Sequence, residues 1–113
     1  MDIGTPSGVV TVNNVYRSIL GWEESDIIFQ KTSVYELLYD VDDSSFVVSI
    51  DAGPLLTTRP QAESALLSFL GVSRSDACKL AVVVGVDPSV DPSLVNKGFS
   101  LSFCASSNSG FNQ

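Results

Sequence analysis

The chain has 113 residues, 44% of them hydrophobic, with 13 acidic and 6 basic side chains and a net charge of -7. Length and composition fit one globular domain that can bury a core without a metal or several disulfides. The negative balance repels phosphate backbones and anionic lipid, which argues against nucleic acid and membrane-surface partners and permits a partner with a basic face.

In chain order, Thr5-Pro6-Ser7 reads as a helix start with Pro6 in the first turn, and Val12, Val15, Tyr16, Ile19 and Leu20 recur at helical spacing. Gly21 is placed to stop that helix, so the spacing predicts a helix over 6–20. Trp22 to Asp26 follows as a polar turn, and Ile27-Ile28-Phe29 as a short strand over 27–30. Tyr35, Leu37, Tyr39 and Val41 are apolar on odd positions, and Phe46, Val48 and Ile50 on even ones. Asp42-Asp43-Ser44-Ser45 separates the two runs. This pattern predicts a β-hairpin of strands 34–41 and 46–51, each with one buried face, and with Glu36, Asp40, Ser49 and Asp51 turned outward.

Gly53-Pro54 breaks the sheet. Thr58 with Gln61 has capping-box spacing and Pro60 fits a first turn. Ala62, Ala65, Leu66, Phe69 and Leu70 form an apolar stripe that ends at Gly71, so a helix is predicted over 59–70. Ser73 with Asp76 opens a short helix, 74–79, that carries Cys78. Residues 81–86, β-branched and apolar on both faces, read as a central strand. Asp87-Pro88 and Asp91-Pro92 impose a loop to Gly98, and Phe99, Leu101 and Phe103 alternate in a last strand over 99–104. The Ser/Asn/Gly-rich tail, 105–113, is expected to be flexible. The expected fold is a single α+β domain over 1–104, a mainly antiparallel β-sheet with about three helices packed mainly on one face. Its expected core is Leu37, Tyr39, Val48, Ile50, Leu66, Phe69, Val82, Val84, Leu101 and Phe103.

The sequence has no histidine, which removes the usual general base near neutral pH and the commonest metal ligand. A serine nucleophile lacks its base, Glu23 and Glu24 point apart on most backbones, and the scattered glycines make no phosphate loop. No catalytic residue, cofactor or metal is expected, and the chain reads as no enzyme. Asp40, Asp42 and Ser44 alternate as calcium-loop ligands do, with Asp51 where the last ligand would stand. Ser45 replaces the required glycine and the flanks are strands, so a solvated acidic turn is the preferred reading. Asp87 and Asp91 read as turn residues, and their 87–98 loop as a candidate partner-binding surface. Trp22 is the other candidate. It is either an exposed binding anchor or, as the preferred reading, a cover for the end of the 6–20 helix. Cys78 and Cys104 either bridge, fastening the last strand to the helical pair, or stay two thiols; the bridge is preferred. Without a Cys-x-x-Cys motif a redox role is disfavoured.

Gln61-Ala62-Glu63, Phe69-Leu70-Gly71-Val72-Ser73, Asp76-Ala77-Cys78-Lys79-Leu80, Val90-Asp91-Pro92 and Leu101-Ser102-Phe103-Cys104 together resemble a pattern of small uncharacterised domains from Patescibacteria-like, candidate-phylum bacteria. Those domains look like cell-envelope proteins with an N-terminal membrane anchor, sometimes associated with type IV pilus genes. The resemblance covers residues 61–104 and extends to the hairpin before them. It implies an extracytoplasmic setting, strengthens the disulfide reading, and places a membrane anchor ahead of residue 1. It transfers no catalytic residue. The expected function is a non-catalytic interaction or assembly module at the bacterial cell envelope, pilus-associated in its narrowest form, with a protein partner. The alternative is a cytosolic acidic inhibitor or decoy that binds a basic protein surface.

Overall fold

The computed structural model describes residues 1–94 and 97–104, so the tail at 105–113 lies outside the described residues. The chain begins with strands, not helix: β1 (Asp2–Thr5) and β2 (Gly8–Thr11) pair antiparallel from Asp2↔Thr11 to Thr5↔Gly8. The expected 6–20 helix is not formed. Pro6-Ser7 makes the turn, where Thr5 Oγ1 donates to the Gly8 carbonyl at 2.6 Å and accepts from the Ser7 amide at 3.2 Å. Gly8 sits at φ +118°, a conformation that disfavours a side chain. The run Val9-Val10-Thr11-Val12 is β-branched throughout and favours a pleated strand. The decisive period is two: Val10 and Val12 are buried, whereas Tyr16, Ile19 and Leu20 of the helical spacing are exposed. Only a 3-10 turn, Val15–Arg17, forms in the second half of that span, with the Asn14 side chain accepting from the Tyr16 amide.

Six further strands make one sheet in the order β3 (Gly21–Glu23), β4 (Asp26–Lys31), β5 (Tyr35–Asp40), β6 (Ser45–Ile50), β7 (Val82–Val86) and β8 (Gly98–Phe99). β5 and β6 are the hairpin that the alternation predicts. Its connection falls one residue early, at 41–44, because Ser45 pairs with Asp40. The sheet is mixed, not purely antiparallel. Between β6 and β7 the helix α1 (Leu55–Leu70) returns the chain to the end where β6 began, so these two strands run parallel. With α2 (Arg74–Ala77) it makes two α-helices among the described residues, against about three expected, the 6–20 helix being the one lost.

α1 starts four residues before its expected boundary. The amides of Thr57 and Thr58 donate to the Pro54 carbonyl at 3.1 and 2.9 Å and close the first turn. Thr58 is thus a buried helical residue and not a cap, and Pro60 lies inside the helix. The missing Pro60 donor frees the Leu56 carbonyl, and this is tolerable where Leu56 is 91% exposed and water is at hand. Gly71 ends the helix as read, at φ +69° with its amide on the Leu67 carbonyl at 2.8 Å. Ser73 accepts from the Asp76 amide at 3.1 Å to cap α2, which closes at Ala77, two residues short of the expected end.

α1 packs against β5 and β6, and the N-terminal segment joins the same core through Ile3 and Val10 of the β1–β2 hairpin and Val12 and Val15 after it. Asn13 ties the hairpin to the helix end: its amide donates to the Leu70 carbonyl at 2.9 Å and its side-chain amide to the Phe69 carbonyl at 2.8 Å. Leu37, Tyr39, Val48, Ile50, Leu66, Val84 and Leu101 are buried as expected, while Phe69, Val82 and Phe103 are half-buried against them. The last strand is two residues long, not the expected 99–104. Beyond Phe99 the backbone is claimed by α1: the Ser100 carbonyl accepts from Arg59 Nη2 at 2.8 Å, and the Ser102 amide donates to Glu63 Oε2 at 2.8 Å. Those groups can no longer extend a ladder along β7.

Candidate interaction surface

The predicted site residues fall into three separate places. Cys78, at the C-terminal end of α2, is bonded to Cys104, with the two Cα atoms 5.5 Å apart. Beside that bridge lies a buried ion pair that the sequence reading missed. Arg59 and Glu63, one turn apart on α1, meet at 3.3 Å, and Ser102 Oγ donates to Glu63 Oε1 at 2.5 Å. Burial pulls the Arg59 guanidinium below its ordinary value, and the Glu63 carboxylate pulls the other way. The clue was present in the spacing: Arg59, Ala62, Glu63, Leu66 and Leu70 share one helical face, so the charges sit inside the apolar stripe. This corner is a latch that holds residues 98–104 against α1. The cleft above it, about 90 Å³ and lined by Pro60, Glu63, Arg74 and Phe103 among others, is too small for a substrate-sized molecule.

Asp87 and Asp91 are turn residues. Asp87 Oδ1 accepts from the Ser89 amide at 2.9 Å, and Asp91 Oδ1 from the Ser93 amide at 3.0 Å and its hydroxyl at 2.7 Å. These bonds hold both carboxyls below the usual carboxylate range, through the Ser89 backbone first for Asp87 and the Ser93 side chain first for Asp91. The acidic hairpin tip is likewise self-satisfied, with Asp40 accepting from the Asp42 amide and Asp43 from the Ser45 hydroxyl. Asp51 follows β6 at the opposite end of the strand, which breaks the calcium-loop spacing. Among the described residues no group of three or more acidic or cysteine side chains could hold a metal ion, and no helix is long and apolar enough to cross a membrane.

Trp22 departs from its preferred reading. With no helix to cover, it lies on β3, the outermost strand, and is 56% exposed. Tyr16, Ile19 and Leu20 are exposed beside it in sequence, with Leu20 at 65%. The Tyr16 ring meets Tyr39 edge-on, 6.1 Å between centroids, so this apolar run is anchored to the core at one end. Carboxylates gather at the turn end of β3, where Glu23, Asp26 and Asp40 form the next cross-strand row, on the opposite face of the sheet from Trp22. Asp26 is pushed above the usual carboxylate range by burial first, then by Asp40, Glu23, Asp43 and Glu24. Asp26 and Asp40 are direct cross-strand partners, so their repulsion is built into the register.

The sheet face away from the core carries a second apolar feature. Ile28, Leu38, Val47 and Val83 are successive cross-strand partners on β4, β5, β6 and β7. Leu38 is only 5% exposed, yet it stands apart from the core cluster because it points to the opposite face. The row is flanked by the Lys31–Glu36 pair, 3.1 Å apart. Comparison with protein-family models, with curated proteins and with solved structures finds no match.

Proposed function

We propose that this domain is a non-catalytic protein-interaction module that works outside the cytoplasm and binds a partner with a basic face through the sheet end around Trp22. The observation that carries this reading is the exposure of Tyr16, Ile19, Leu20 and Trp22, the last on the outermost strand β3, whose turn end carries Glu23, Glu24 and Asp26 with Asp40 beside them. Exposed aromatic and aliphatic side chains supply the desolvation energy of an interface, and the surrounding charge selects and steers a basic partner. The Cys78–Cys104 bridge supports an oxidising compartment, which favours an envelope assembly role over a cytosolic inhibitor or decoy.

The test is photo-crosslinking in cells that make the protein, with a photoreactive residue at Leu20 or, as a control, at Ser89. A discrete protein adduct from Leu20 that weakens with salt and disappears with Trp22→Ala is expected. Equal adducts from both positions, or none from Leu20, would overturn the role of this surface.

A further inference from the structure

The backbone at β3 is as open as its side chains. Glu23 pairs with Asp26 across the two-residue turn Glu24-Ser25. In such a hairpin the pair beside the turn exchanges both hydrogen bonds, so the next pair, Trp22↔Ile27, turns its N–H and C=O groups away from each other. Those of Ile27 face β5, and those of Trp22 face the edge that no other strand covers among the described residues. Trp22, Ile27, Tyr39 and Phe46 form one cross-strand row on the core face, and Trp22 is its unfilled end. On the other face Gly21 stands opposite Ile28, whose Cδ1 lies 3.9 Å from where a Gly21 side chain would begin. The row Ile28–Leu38–Val47–Val83 thus ends in a gap that a neighbouring strand can fill.

We infer that β3 accepts an extended, lysine- or arginine-bearing segment of the partner protein as a seventh strand, an inference that rests on the interaction role proposed above. Three successive positions of that segment are specified. The residue opposite Gly21 is apolar and covers Ile28, the one opposite Trp22 is apolar and extends the core-face row, and the one opposite Glu23 is basic. Strand addition supplies affinity through main-chain bonds and specificity through alternate side chains. A second copy of this chain is the wrong occupant: pairing β3 with itself sets two clusters of carboxylates within about a Debye length, ~8 Å, of each other. The opposite edge is unsuitable, because beyond the two residues of β8 the chain turns away to Arg59 and Glu63.

The capped peptide Val-Val-Lys-Val-Val-Lys, which presents the specified apolar-apolar-basic triplet in either strand direction, is the probe, with Val-Val-Glu-Val-Val-Glu as control. Binding is followed by calorimetry and by exchange of the Trp22 amide. The lysine peptide should bind and slow that exchange, and the glutamate peptide should do neither. N-methylating the amides of the odd-numbered or of the even-numbered residues blocks opposite edges of the incoming strand. One of these variants should lose roughly tenfold or more in affinity and the other should stay within about twofold. Equal responses to the two methylation sets, or an unprotected Trp22 amide, would overturn strand addition while the Leu20 adduct still upholds the interaction role. Binding of the glutamate peptide as tight as that of the lysine peptide would overturn the basic partner. Self-association that protects Trp22 without peptide would make a second copy the occupant and overturn the proposal.

Discussion

The two ends of the six-stranded sheet are built on opposite principles. At the β8 end the edge is short and the chain is pulled off it, with Arg59, Glu63 and the Cys78–Cys104 bridge fixing residues 98–104 to the helices. At the β3 end nothing comparable closes the edge among the described residues, and Leu20 and Trp22 stand in solvent beside a group of carboxylates. A free edge with apolar side chains is an aggregation hazard unless it is short, charged or used. β3 is three residues long and carries negative charge at its turn end, two features that oppose edge-to-edge pairing with another acidic chain. The difference teaches that polar groups act differently by burial: inside, a charge pair fixes one packing of the chain; outside, charges stay solvated and set the sign of the surface.

The comparison breaks most visibly at the latch. Glu63→Ala removes the carboxylate that meets the buried Arg59 guanidinium and accepts from the Ser102 amide and hydroxyl, so unfolding free energy should fall by roughly 3–5 kcal/mol. Denaturant unfolding followed by circular dichroism measures this, and a loss below about 1 kcal/mol would mean that the pair does not hold the segment. Next in size is the bridge: replacing both cysteines by serine should cost about 3 kcal/mol in the chain-entropy account. Two thiols that alkylate freely in protein folded under oxidising conditions would contradict the bond. Because both devices hold 98–104, the losses from Glu63→Ala and from the cysteine pair should not add.

The smallest effect belongs to the acidic end. The folded-state pKa of Asp26 is raised above its ordinary value of 3.8, so the folded chain binds that proton more tightly than the unfolded chain does. Its charge therefore opposes folding at neutral pH, and the penalty fades as pH falls through the raised value toward 3.8. Asp26→Asn should stabilise the fold at pH 7 by less than about 1 kcal/mol after solvent screening, with no gain left below the unfolded value. Matched unfolding curves at pH 7 and pH 3 decide it. A loss of stability at pH 7 would show that Asp26 does structural work in the turn.

Much of the fold was legible because local patterns and tertiary packing agreed. Tyr35–Ile50 alternates with period two around an acidic turn, and the half-buried hairpin is the one arrangement that satisfies it. Gly71 and Ser73 ended and began helices where their backbone chemistry requires it. The two cysteines could be paired on paper because few other roles were open to them. The 6–20 segment was misread for a definite reason. Val12, Val15, Tyr16, Ile19 and Leu20 fit a helical spacing, but Val10 and Val12 equally fit a strand, and only the packing of Val10, Val12 and Val15 under α1 and the sheet selects between them.

The sequence by itself determined composition-level facts: one acidic α+β domain, the central hairpin, the helix that ends at Gly71, and the lack of imidazole chemistry. Tertiary structure alone decided that Trp22 lies at a free edge, that Arg59 and Glu63 are buried together, and that β8 stops after two residues. The physical reason is range. Periodicity, capping and turn chemistry act over a few residues and are written locally. Exposure of an edge and capture of Ser100 and Ser102 by a helix some 40 residues earlier depend on contacts that form only when the whole sheet has assembled.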